Sequence, residues 1–252
     1  NLMITTEIYD GQGPGDQLWV YLTTRYIAHK NGYDFGIIGS ERWKLTNLNV
    51  DFGKEVKGIE HTFKERRVDH PGFHDCNISD VDKRAYEVSD NTRLDGLFHY
   101  AELLKDNSDL FREWLNLDSV IDRNPVVPGK VICNIRGGEY RSFPKKYWDM
   151  ALSKLGNPEV EIITDDPGYA KQLIPQATLF NGSMVDHFER LFTADYLVLS
   201  NSAFGFFPAA LGNAKDVIAP KYWSRWNVSD GFWAMEMDRC DKFTYIDREG
   251  NA

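Results

Sequence analysis

Cysteine is nearly absent from this chain of 252 residues: Cys76, Cys133 and Cys240 are scattered and odd in number. That excludes a disulfide framework. Cys133 lies inside an apolar run and reads as a small core residue, and the set as a whole fits a reducing, cytoplasmic compartment. Long apolar runs are missing too. No window of 18 apolar residues occurs and no secretory pattern is visible, so neither a membrane span nor export is expected. The longest candidate, residues 196–211, is broken by Asn201, two serines, Gly205 and Pro208, and reads as strand, turn and buried helix. The sequons at Asn77, Asn181 and Asn227 then carry no weight.

Positive charge is also sparse. The net charge is −9, and the densest basic stretch, Lys64-Glu65-Arg66-Arg67, carries its own acid. A binder of phosphate backbones needs a broad positive face, so nucleic acid is excluded as a partner. Metal-ligand patterns are thin. His70, His74 and Cys76 lack a fourth ligand at a recognised interval, and Asp80-Val81-Asp82 lies in a polar stretch rather than at the end of an apolar strand. No metal is expected. The glycine loop "GQGPGD" lacks the third glycine of a dinucleotide fingerprint, and Pro14 intrudes, which disfavours a nicotinamide dehydrogenase.

What is present is a regular alternation. Residues 3–9 read as a strand, 11–15 as a tight glycine turn, and Leu18, Tyr21, Leu22, Tyr26 and Ile27 follow helical spacing until Asn31-Gly32. "YDFGII" follows as a strand, completing a βαβ unit and hence a parallel sheet. Residues 40–92 are polar and irregular. "LDGLFHYAELLKDNSDLFREWL" returns to helical spacing, and "DRNPVVPGK", 122–130, has the prolines and glycine of a linker. From Lys130 strands and helices alternate for some ninety residues, the pattern of a Rossmann-like domain. The expected fold is α/β, with two Rossmann-like domains at 1–124 and 125–252, a division that also suits the length.

In open parallel sheets, ligands bind beyond the carboxyl ends of the strands. In the second half those ends are Arg136-Gly137-Gly138-Glu139, Thr164-Asp165-Asp166-Pro167 and Ser200-Asn201-Ser202-Ala203-Phe204. A cation where an apolar strand stops is costly unless an anion meets it. One cation, two carboxylates and a helix start rich in hydroxyls suit a nucleoside diphosphate. The arginine and helix N-terminus would hold the phosphates, and a carboxylate would accept from a purine. The plainer alternative is an Arg136–Asp ion pair with ordinary helix caps.

"CNIRGGEY" resembles the H-x-R-R-G-D-Y motif of the α-1,2-fucosyltransferases and their α-1,6- and protein O-fucosyltransferase relatives. Four further pieces resemble that family's segments in its order: "GPGDQLWVYLTTRYIAHKNG", "LDGLFHYAELL", "IITDDPGYAKQL", and "LSNSAFGFFPAALG" with "DVIAPKYW". The resemblance implies a GT-B fold, with two Rossmann-like domains facing a cleft. It also implies an inverting, metal-independent transfer of fucose from GDP-fucose to a glycan acceptor. On this chain it places nucleotide contacts at Asn134, Arg136, Asp165, Asp166, Ser202 and Phe204, with Gly13 and Gly15 letting backbone approach the diphosphate. Arg136 is the clamp on the leaving diphosphate, and Asp16 and Glu139 are the candidate bases. Trp223, Trp226 and Trp233 are candidate sugar-stacking residues. The family's histidine, second arginine and aspartate stand here as Asn134, Gly137 and Glu139. These departures keep two alternatives open: a GT-B glycosyltransferase using another nucleotide-sugar, or an inactive nucleotide- or sugar-binding domain.

Overall fold

The computed structural model describes residues 2–66, 82–138, 143–221 and 241–252. The chain divides into two compact units, Asn1–Leu115 and Asn116–Ala252. Both are α/β, and the described strands pair with one another in parallel.

The first unit carries strands β1 (Met3–Glu7), β2 (Asp34–Ile38), β3 (His61–Lys64) and β4 (Thr92–Asp95) in the order β2-β1-β4-β3. Helix α1 (Pro14–Asn31) crosses between β1 and β2. Pro14 opens it, where a missing N–H costs nothing. Gly32 closes it at φ +70, a conformation in which glycine alone avoids a Cβ penalty. Eight consecutive residues, Gln17 to Thr24, are buried, so α1 is covered on more than its sheet face. The cover is the irregular segment after β2. The buried Gln17 side chain donates to Arg42 O (2.9 Å) and accepts from Lys44 N (2.9 Å), and Tyr21 Oη donates to Asp51 O (2.6 Å). Burial pushes the Tyr21 hydroxyl up to about 12, against the lowering effect of Arg25.

The stretch from Leu94 onward departs from its helical spacing. Leu94 and Asp95 end β4, and the helix, α2 (Ala101–Trp114), starts only at Ala101. Gly96 and the left-handed Phe98 (φ +51) turn the chain between them. The Glu65 carboxylate accepts from Leu97 N (3.0 Å) and Phe98 N (3.2 Å), replacing the bonds a helix would have given. Strand β3 lies within the stretch whose sequence shows no period, and β4 straddles its end.

The second unit opens with α3 (Leu117–Arg123). It continues as β5 (Val131–Ile135), α4 (Lys145–Lys154), β6 (Val160–Thr164), α5 (Pro167–Leu173), β7 (Thr178–Leu179) and α6 (Met184–Leu191). It closes with β8 (Tyr196–Leu199), α7 (Ala203–Leu211), β9 (Asp216–Pro220) and β10 (Phe243–Ile246). The sheet order is β10-β9-β8-β5-β6-β7. Renumbered from β5 this is 3-2-1-4-5-6 read from the β7 edge, the order of dinucleotide-binding Rossmann sheets. β5 is buried along its whole length, including Cys133 and Asn134, as expected for a central strand with both faces covered. On one face Tyr147 and Trp148 of α4 join Val131, Cys133, Ile135 and Val198 in a single apolar cluster. Burying each such ring contributes about 1.5–3 kcal/mol, and Tyr147 Oη also donates to Leu199 O at 2.6 Å, tying α4 to the end of β8. Burial raises the Cys133 thiol well above its ordinary range, as suits a core residue. Among the described residues, no helix is long and apolar enough to cross a membrane.

Candidate active site

In the second unit the chain runs from β5 to β6 on one side and returns through β8 on the other side of β5. The carboxyl ends of β5 and β8 therefore flank the point where the winding reverses, which is where open α/β sheets bind ligands. Arg136 directly follows β5. Its N–H donates to Ser200 Oγ (3.2 Å), which directly follows β8, and Ser200 N donates back to Asn134 O (3.0 Å). The third loop, after β6, joins through Asp165. Its Oδ1 accepts from Gly137 N (2.8 Å), and its Oδ2 stands 3.3 Å from Arg136 Nε. Three loops from three adjacent strands thus meet around one arginine.

That arginine is incompletely satisfied. Nε is buried and has no hydrogen-bond acceptor, since the approach of Asp165 gives charge proximity without bond geometry. The Arg136 side chain as a whole remains 33% exposed. A buried donor without an acceptor at a sheet switch point leaves room for a partner from outside the protein, water or an anion. Helix α7 opens from the β8 loop with Ser202 as N-cap, and the Ser202 side chain makes no capping bond, leaving the first-turn N–H groups open. Phe204 is buried in that first turn, 5.7 Å from the Phe188 ring of α6. Arg136, Asp165 and the start of α7 are therefore brought together.

Asp166 has a local task as the N-cap of α5, its Oδ1 accepting from Tyr169 N at 3.1 Å. It also explains the glycine that stands where the resemblance has a second arginine. A Cβ on Gly137 would lie 2.6 Å from Asp166 Cβ, so the β6 loop fills the space that a side chain at 137 would need. Asn134 is buried within β5. It is 2% exposed, its Nδ2 donates to Ile163 O at 3.3 Å, and its Oδ1 has no donor and fills the space that a Cβ on Gly205 would need. Glu139 and the three candidate stacking tryptophans, Trp223, Trp226 and Trp233, lie outside the described residues, as do His70, His74, Cys76 and Asp80.

In the first unit, Gly13 caps α1 with extended backbone, and a Cβ there would meet nothing within 4 Å. Gly15 is buried in the first turn. The glycine that needs its freedom is Gly11, at φ +80. Asp16, also in the first turn, has its Oδ1 2.9 Å from His99 Nε2. His99 escapes the sequence reading because the two residues are 83 positions apart and His99 falls inside a run with helical spacing.

A cavity of about 670 Å³ opens at the opposite, amino-terminal edge of the second sheet, lined by Lys130, Glu161 and Thr178 among others. Lys130 and Glu161 in its lining are paired: Lys130 Nζ is 3.4 Å from Glu161, and Arg190 grips both oxygens of Glu161 at 2.7 and 3.0 Å. The unsatisfied arginine is at the other edge, where the candidate site lies.

No family model matches the chain, and no curated protein matches it in sequence. Among solved structures, the chain is similar to fucosyltransferase NodZ from Bradyrhizobium, at 14% identity, with 86% of this chain and 95% of that chain covered and a TM-score of 0.48. It is similar to a variant of Arabidopsis thaliana FUT1 in complex with GDP, at 10% identity, 88% and 71% coverage and a TM-score of 0.48. It is also similar to E. coli heptosyltransferase WaaC with ADP, at 12% identity, 86% and 86% coverage and a TM-score of 0.45.

Proposed function

We propose that this chain is an inverting, metal-independent glycosyltransferase that transfers fucose from GDP-fucose to a glycan hydroxyl. The observation that carries the reading is Arg136: a cation with an unsatisfied buried nitrogen, at the switch point of a Rossmann-ordered sheet, beside an uncapped helix start. The five fucosyltransferase-like sequence segments support the choice of sugar and nucleotide.

In this reading the second unit binds the donor and the first is the acceptor side. Arg136 and the first-turn N–H groups of α7 hold the diphosphate. They neutralise the charge that grows on it as the sugar–oxygen bond breaks, a form of stabilisation worth about 10²–10³-fold in rate per group. No metal is required for that step. Asp165 and Asp166 stand at the β6 end as acceptors for the purine N–H groups.

A second reading is a donor with another nucleotide. It is favoured by Asn134, which stands where the resemblance has a histidine and is buried with its Nδ2 donating to Ile163 O. Calorimetric titration with GDP, UDP and GDP-fucose, each with and without EDTA, tests both. The first reading expects GDP-selective binding that survives EDTA. UDP preference selects the second, and loss of binding in EDTA removes metal independence.

A further inference from the structure

We propose that His99 is the proton acceptor for the attacking hydroxyl and that Asp16 is the positioning residue that holds it. The inference rests on the transferase reading above, and it moves the base from Asp16, a candidate in the sequence, to a residue the sequence did not mark. Asp16 sits in the first turn of α1, just past the carboxyl end of β1. His99 sits just past the carboxyl end of β4, the strand paired with β1. The pair therefore occupies the edge of the first sheet where parallel sheets present ligands. Asp16 Oδ1 lies 2.9 Å from Nε2, and the imidazole is only 17% exposed. A carboxylate can only accept, so Nε2 carries the hydrogen and Nδ1 is left with its lone pair. Nδ1 has no hydrogen-bond partner among the described residues. The Trp19 ring packs against the imidazole at 5.6 Å and limits its rotation. A base held by a second group, with its other nitrogen open, has the geometry of an activating pair.

The step balances without a further reactant. The acceptor O–H gives its proton to Nδ1. The oxygen lone pair forms the bond to the anomeric carbon, on the face opposite the leaving group. The carbon–oxygen bond to the diphosphate breaks, and its electron pair leaves with the diphosphate.

The test uses the full chain, with GDP-fucose as donor and water as the surrogate acceptor, read as GDP release. His99→Gln should lower kcat by about 10²–10⁴-fold, with KM for GDP-fucose and the melting temperature unchanged. His99→Ala should recover part of its turnover in added imidazole, and Asp16→Asn should fall less than either. Wild-type turnover in His99→Gln overturns the proposal, as does a loss that imidazole leaves unrestored in a variant that still melts normally. An independent measurement is the nitrogen NMR spectrum of imidazole-labelled protein at pH 8, which should show Nε2 protonated and Nδ1 bare. The opposite tautomer overturns the proposal whether or not GDP-fucose is turned over. Failure of the transferase reading shows elsewhere, as absent GDP binding in the wild-type titration.

Discussion

Arg136 and Asp165 are neighbours without being full partners. The guanidinium Nε stands 3.3 Å from one carboxylate oxygen, while the other oxygen accepts the N–H of Gly137 at 2.8 Å. Both side chains are partly exposed, so the pair is worth at most about 1 kcal/mol to folding. The aspartate holds the arginine loosely at the strand end, and a diphosphate with two or more charged oxygens would outcompete it.

Arg136→Ala should therefore weaken GDP binding by about 10–100-fold, the loss expected for one charged hydrogen-bonding group, and should abolish transfer. The melting temperature should stay within a few degrees of wild type. Calorimetry and thermal denaturation read the two effects separately. A variant that unfolds would make Arg136 a structural residue.

Gly137→Ala should destabilise by about 1–3 kcal/mol, because its Cβ would meet the Asp166 Cβ at 2.6 Å and displace the β6 loop. Urea denaturation checks this. An unchanged midpoint would mean that the loop yields freely and that the missing second arginine has no steric cause.

Gly205 sits inside α7, where alanine is ordinarily better by about 1 kcal/mol. Here a Cβ would collide with Asn134 Oδ1. Gly205→Ala should destabilise the wild-type chain but stabilise an Asn134→Ala chain. That sign reversal in a double-mutant cycle isolates the contact.

Acid should loosen the second unit through Glu161. Burial pushes its carboxyl upward, but the hydrogen bonds and charges of Arg190 and Lys130 outweigh burial and hold it below its ordinary 4.5. A carboxyl lowered in the folded state contributes stability that is present above about pH 4.5 and lost as the pH falls through the folded value. Denaturation midpoints measured from pH 6 down to pH 3 should fall, and Glu161→Gln should flatten part of that slope. The Arg190→Met chain, in which Lys130 alone faces the Glu161 carboxylate, should lose about 1–3 kcal/mol at neutral pH.

The regular half of the fold was legible because its periods are local. "PKKYWDMALSKLG", "EVEIITDD" and "MVDHFERLFTA" announce α4, β6 and α6 within a few residues of their bounds. Where the first half failed, the cause was distance. β3 and β4 are four residues each and gain their strand character by pairing across some thirty positions. The helical spacing from Leu94 lost to Gly96, the left-handed Phe98 and a carboxylate supplied from Glu65.

The sequence by itself determined the α/β class, the strand ends that carry Arg136, Asp165, Asp166 and Ser202, and the glycine that ends α1. These depend on side-chain period, proline and glycine, which act within a few residues. Only the tertiary structure decided the strand order that puts the β5 and β8 ends together and turns Asn134 inward. It alone brought Asp16 to His99. Those outcomes depend on which distant strands pair and what they enclose, and no local pattern encodes that choice.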